Sequence, residues 1–106
     1  NDRMFWALAR ARQGVARALL GQLAKARQDF TAAAVPLERI GNPLLLKGLG
    51  VLEGFVDLCE GHPHLARERL QGISPETPSS FLRMAVMQLE EEISKKQSQD
   101  SASTEA

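Results

Sequence analysis

The chain has 106 residues, of which 43% are hydrophobic and 25% are charged, as expected for one small globular domain. Thirteen basic residues balance thirteen acidic ones, so the net charge provides no general attraction to nucleic acid or to an anionic membrane surface. No apolar run approaches the ~20 residues of a membrane span. Cys59 is the only cysteine, which excludes a disulfide framework within the chain and predicts a cytoplasmic location.

Apolar residues recur at spacings of three and four in five segments, which predicts an all-α fold. The expected helices span about residues 3–20, 22–40, 43–60, 65–73 and 78–96. Because this pattern begins almost at once after Asn1, we expect the chain to be a segment of a longer protein. Residues 98–106 are polar and serine-rich, so a disordered tail is predicted there.

Proline, glycine and cap residues mark the expected ends of these helices. Pro36 falls inside the second helix and predicts a kink or a break. Asn42 and Pro43 are typical of an N-cap and a first helical position. Residues 61–63, Gly-His-Pro, likewise predict the end of one helix and the start of the next. Thr77 before Pro78 is a further predicted cap.

A similarity at a fixed offset of 40 residues indicates an internal repeat. Small residues at Gly14 and Gly54 predict two close helix contacts, with Ala26 and Ala66 respectively. Large apolar residues would fill the space one turn further along. The matched pairs are Gly14 with Gly54, Gly21 with Gly61, Ala26 with Ala66, Arg27 with Arg67, and Phe30 with Leu70.

This arrangement resembles the tetratricopeptide repeat, in which a small residue on a first helix is followed by alanine, a large apolar residue and alanine on a second. The matching residues are Gly14, Ala26, Phe30 and Ala33 in one unit, and Gly54, Ala66, Leu70 and Ile73 in the next. The resemblance implies antiparallel helical hairpins stacked as a short right-handed solenoid of about five helices. It covers a domain of residues 1–97, with units of about 3–41 and 43–77 and a terminal helix at 78–96.

Two features depart from the family pattern. The period of 40 residues exceeds the usual ~34 and is similar to longer-period variants in bacterial signalling ATPases, kinases and transcriptional activators. Arg10 and Arg17 in the first unit, and Gly50 and Asp57 in the second, stand where the family normally has aromatic residues. An ordinary helical bundle with a chance offset is the alternative.

The resemblance implies a protein-protein interaction scaffold in a cytoplasmic signalling or regulatory protein, whose inner surface is lined by the first helix of each unit. The residues expected on this surface are Leu8, Ala11, Val15, Val51, Phe55 and Leu58. They are apolar, so the expected partner is an apolar or amphipathic protein or peptide segment, without a charge clamp for acidic termini. The same strip could instead be core.

Two other functions remain open. An exposed end of a short array could pack on a second copy and give a homodimer. The first helix could instead contact nucleic acid through Arg3, Arg10 and Arg17, which recur every seven residues. The acidic remainder of the chain argues against nucleic acid, and a solvated face or salt bridges to a preceding unit also explain that stripe.

No constellation in the sequence predicts an enzyme, a metal site or a cofactor. Cys59, His62 and His64 are too few for a closed zinc site, which needs four ligands. As a nucleophile and base they would also need an orienting group and an oxyanion donor, and neither is indicated. The acidic residues 90–92 point in different directions around a helix, so they favour a solvated face.

Overall fold

The computed structural model describes the backbone of residues 2–105 and the side chains of residues 2–99. Within this part of the chain there are five α-helices and no strand, so the predicted all-α fold is confirmed. The helices are α1 (Asp2–Leu19), α2 (Leu23–Ile40), α3 (Pro43–Cys59), α4 (Pro63–Glu68) and α5 (Ser80–Glu105). The stacking of these helices as a right-handed solenoid stays a prediction.

The junction between α2 and α3 follows the residue types of the sequence. Gly41 ends α2 with a φ of 74°, in the left-handed region that favours glycine, and its N–H donates to the Leu37 carbonyl at 3.1 Å. The Asn42 side chain then accepts from the Leu44 N–H at 3.0 Å, and Pro43 occupies the first turn of α3. The predicted cap at Asn42 and start at Pro43 are therefore confirmed.

Helix α2 is continuous across Pro36, so a break at that residue is absent and a kink there stays a prediction. The cap predicted at Thr77 is wrong. Helix α5 is capped by Ser79, whose hydroxyl accepts from the Leu82 N–H at 3.1 Å. The Thr77 hydroxyl instead accepts from the Ser79 N–H, two residues on, and so belongs to the turn before the helix.

The fourth and fifth helices end at other residues than predicted. Helix α4 stops at Glu68, because the following N–H groups of Leu70 and Gln71 bond three residues back in a tightened turn. The backbone of α5 stays helical to Glu105, through the segment predicted as a disordered tail. That segment contains no glycine or proline to stop a helix; Ala106 lies outside the described residues.

Helix α3 is the centre of the fold. It packs against each of the other four helices, and nine of its 17 residues are buried. Helices α1 and α2 form a hairpin that packs on one side of α3, while α5 packs on α3 and α4. No Cα atom of α1 lies within 8 Å of a Cα atom of α5, so these two helices flank α3 without closing over it.

Gly14 and Gly54 are both close-approach positions, as predicted, but the closest atoms do not belong to the predicted alanines. A Cβ atom at Gly14 would lie 3.0 Å from the Phe30 ring and 3.2 Å from the Asp29 Cβ. At Gly54 it would lie 2.6 Å from Leu89 Cδ2 and 3.3 Å from Arg69 Cδ. Large side chains of the facing helices therefore fill the space that each glycine leaves.

Candidate protein-binding surface

A groove runs between α1 and α5, with α3 as its floor. It has a volume of about 320 Å³ and is mainly apolar. Leu52 lies at its base and is buried, whereas Leu19 and Met84 on the two walls remain 48% and 46% exposed. The lining residues are Arg12, Val15, Ala16 and Leu19 of α1, Leu52 of α3, and Phe81, Met84, Ala85 and Gln88 of α5.

The wall formed by α5 is positioned by a close contact with α3. The Phe81 ring lies over Gly48, where an added Cβ would be only 2.6 Å from the ring. A larger residue at Gly48 would push against the Phe81 ring of α5. This glycine therefore determines how closely α5 packs on α3. The sequence pattern did not identify Phe81, Met84 and Gln88 as groove residues, although their spacing places them on one face of α5.

The six residues predicted from the resemblance lie mostly in the core. Leu8 and Val15 are half-buried, and Val15 lines the groove. Four are almost inaccessible: Ala11, Val51, Phe55 and Leu58 are no more than 2% exposed. These four side chains belong to the core of the described chain rather than to an exposed surface, which corrects the predicted surface at those positions. Packing by the flanking helices is the physical reason, because α3 is contacted on several sides.

A buried carboxylate joins α1 and α2. Asp29 of α2 has a fully buried side chain and is bonded by two arginines of α1. Arg10 Nε donates to Asp29 Oδ1 at 2.5 Å, and Arg17 donates to both carboxylate oxygens at 3.2 Å. The Arg10 guanidinium also lies 5.8 Å from the centroid of the Trp6 ring. Two members of the predicted basic stripe therefore hold the first hairpin together.

A second ionic cluster joins α3 to the end of α4. Arg69 Nε donates to Asp57 Oδ2 at 2.5 Å, and Arg69 Nη1 donates to the Gly50 carbonyl at 3.0 Å and lies 3.5 Å from Glu53 Oε2. Burial raises the pKa of Glu53; Arg69 opposes this effect and Asp57 adds to it. The guanidinium thus compensates two neighbouring carboxylates.

The two clusters occupy matching positions with inverted charge. Arg17 of α1 and Asp57 of α3 are 40 residues apart, and their partners Asp29 and Arg69 are also 40 residues apart. Arg17 and Asp57 are therefore both explained by ionic contacts with the segment that each of them faces.

Cys59, His62 and His64, the residues considered for catalysis or metal binding, lie at the end of α3 and the start of α4. The His62 and His64 rings meet edge to face at 6.0 Å between centroids. Cys59 is half-buried, and burial raises the pKa of its thiol, which disfavours the nucleophilic thiolate. Among the described residues, no three side chains of the metal-binding types gather into a group. Glu91 pairs with Lys95 along α5 at 3.5 Å.

None of the helices in the described part of the chain combines the length and apolar character needed to cross a membrane. Comparison of the chain with family models, curated proteins and solved structures finds no match. The groove between α1 and α5 is the feature of the fold that points to a function.

Proposed function

We propose that this domain is a protein-protein interaction module that binds an apolar or amphipathic helical segment in the groove between α1 and α5. The observation that carries the proposal is an open apolar trough of about 320 Å³ with partly exposed Leu19 and Met84 on opposite walls. Helical ligands bind such grooves by inserting residues spaced three or four apart. The resemblance to tetratricopeptide repeats supports a scaffold in a cytoplasmic signalling or regulatory protein.

The lining residues favour an apolar ligand over an acidic terminus. Arg12 is the one cation among the residues that line the groove. Gln88 is the one other lining residue with a polar side chain. A clamp for a carboxylate needs several convergent donors. A ligand helix would therefore bury apolar side chains over Leu52 and keep its polar face in solvent.

The rival function, contact with nucleic acid through α1, is weakened by the ionic cluster. Arg10 and Arg17 already bond the buried Asp29 carboxylate. Transferring them to phosphates would leave that carboxylate buried without a partner, which is costly. Protein binding in the groove requires no such exchange.

Selection from a display library of helical peptides, each about 15 residues or four turns long, tests this proposal. Peptides selected on the wild-type domain should bind Met84→Glu and Ala16→Glu at least about tenfold more weakly, since a charge enters the apolar groove. Fluorescence anisotropy at low protein concentration measures the affinities.

Met87→Glu is the matched control, because it makes the same substitution on α5 at a residue that does not line the groove. Its affinity for the selected peptides should equal that of the wild type. Failure to select any binding helix, or equal binding to Met84→Glu, would contradict the groove as the binding surface.

A further inference from the structure

The exposed side of α5 beside residues 70–77 carries a stripe of mixed character, which also lines a shallow pocket of about 240 Å³. Arg83, Met87 and Glu90 follow each other at spacings of four and three residues, so they lie on one side of the helix. Met87 is 69% exposed, the highest value among the large apolar residues of α5. The opposite side of α5, including Leu82 and Leu89, is buried against the rest of the fold.

The two charges of this stripe have no ion-pair partner within the described part of the chain. Other charged side chains of the domain do: Arg69 pairs with Asp57, and Lys95 pairs with Glu91. Arg83 and Glu90 are seven residues apart, about 10 Å along the helix axis, so they are poorly placed to pair with each other. Both face solvent on either side of an exposed methionine.

This stripe is complementary to itself when two copies of α5 run antiparallel. If Met87 meets its counterpart on a two-fold axis, Arg83 lies four residues before the axis and the partner's Glu90 lies three residues from it. The two side chains then sit within about 1.5 Å of the same level along the helix. The symmetry creates two identical ion pairs around a methionine contact, which is the arrangement of an isologous interface.

We infer that the occupant of this face is a second copy of the chain, docked through α5 as an antiparallel two-fold dimer centred on Met87. Charge complementarity selects the second copy, because an arbitrary partner helix would need an acidic and a basic residue at the matching spacing in reverse order. The helix-to-helix contact is small, so the dimer is weak, with a dissociation constant on the order of 100 μM.

The dimer surface is distinct from the groove between α1 and α5. Arg83, Met87 and Glu90 do not line the groove. Loss of the dimer and loss of peptide binding are therefore separate outcomes, and either proposal can fail alone.

Sedimentation equilibrium from about 5 to 500 μM spans the expected dissociation constant. The wild type should shift from the mass of one chain toward twice that mass, and Met87→Glu should stay monomeric. A wild type that remains monomeric over the whole range overturns the proposal and leaves the stripe to another partner. A dimer that Met87→Glu does not weaken overturns it too, because another surface must then be in use.

Charge reversal tests the pairing itself. Arg83→Glu and Glu90→Arg should each weaken the dimer at least about tenfold, because each places like charges opposite one another. The double variant restores opposite charges and should dimerise within about threefold of the wild type. Arg67→Glu, which changes an exposed arginine on α4, should leave the dimer unaffected. Failure of the double variant to regain affinity rules out the Arg83 to Glu90 pairing.

Cysteine cross-linking distinguishes antiparallel from parallel docking, in a Cys59→Ala background. Met87→Cys should form a disulfide-linked dimer on oxidation, because residue 87 meets its counterpart. Gln97→Cys is an exposed control on the same helix, and its two copies would lie about 30 Å apart in the antiparallel dimer. Equal cross-linking at both residues would show parallel helices and overturn the proposed geometry.

Discussion

Gly54 is a residue at which α5 and the Arg69 side chain approach α3 closely. A Cβ atom there would lie 2.6 Å from a Leu89 methyl of α5 and 3.3 Å from the Arg69 side chain. Gly50, one turn earlier on the same helix, has no such neighbour within 4 Å of an added Cβ. The two glycines therefore allow one substitution to be compared in a packed and an open environment.

Gly54→Leu should lower the free energy of unfolding by about 1 to 3 kcal/mol, because the new side chain must displace Leu89 or move α5. Gly50→Leu should be neutral or slightly stabilising, since it replaces glycine by a good helix former where there is room. Urea denaturation of both variants measures the difference. Equal losses would contradict the assigned packing of α3 against α5.

The sequence predicted that Gly14 and Gly54 are close-contact residues but did not predict what they contact. Periodicity shows that a small residue recurs on the first helix of each unit, which is a local signal. The identity of the facing atom depends on how the helices rotate against each other. At Gly54 the nearest atom comes from Leu89, which is 35 residues away in the chain, and no local pattern contains that information.

At the scale of elements, Arg69 ties the end of α4 to α3. Its guanidinium bonds Asp57 and the Gly50 carbonyl and lies near Glu53. Helix α4 has only six residues, too few for a helix to be stable by itself. The ionic cluster and the buried Ala66 are therefore important in holding this short element against the fold.

Arg69→Ala should destabilise the domain by about 1 to 3 kcal/mol at neutral pH, since it removes charged hydrogen bonds and leaves two carboxylates side by side. The loss should shrink at acid pH. A raised pKa means that ionising Glu53 costs stability as pH rises above its ordinary value of 4.5. Removing Arg69 takes away the one influence that lowers this pKa, so the cost at neutral pH increases.

Urea denaturation at pH 4 and pH 7 tests this dependence, with Arg67→Ala as the control at a neighbouring exposed arginine. The control should lose less than about 0.5 kcal/mol at both values. A loss for Arg69→Ala that is as large at pH 4 as at pH 7 would mean that the carboxylates do not depend on this guanidinium.

Helix starts were easier to predict than helix ends. Asn42 and Pro43 form a cap that residue types determine locally, and the structure has α3 starting there. Both Thr77 and Ser79 are suitable caps, so residue type alone could not choose between them. The end of α5 was mispredicted because polar residues at 97–105 lack apolar periodicity, yet they also lack a residue that terminates a helix.

At the scale of the whole molecule, the candidate site is the groove between α1 and α5 rather than the apolar strip on α1 and α3 that the sequence predicted. The apolar residues predicted on α1 and α3 belong to or pack against the core cluster, and an apolar pattern alone cannot distinguish core from binding surface. The decisive factor is α5, whose Leu89 covers Gly54 and whose Phe81 covers Gly48. Val15 lines the wall that the flanking helices leave partly accessible, and the buried Leu52 lies beneath it as the groove floor.

Phe55 tests whether the five helices form one cooperative core. It is 2% exposed on the central helix, so Phe55→Ser both opens a cavity and places a hydroxyl in an apolar environment. We expect a loss of about 3 kcal/mol or more. Leu20→Ser is the control at an apolar residue that is 74% exposed, and it should cost less than about 0.5 kcal/mol.

The shape of the unfolding transition shows whether the α1–α2 hairpin and the other helices unfold together. Because α3 contacts every other helix, loss of Phe55 packing should lower the midpoint for the whole domain in a single transition by circular dichroism and by Trp6 fluorescence alike. Two separated transitions would mean that the α1–α2 hairpin, which carries Trp6, unfolds independently of α3. A Phe55→Ser variant as stable as the wild type would show that Phe55 lies on the accessible surface. The groove would then extend across α3.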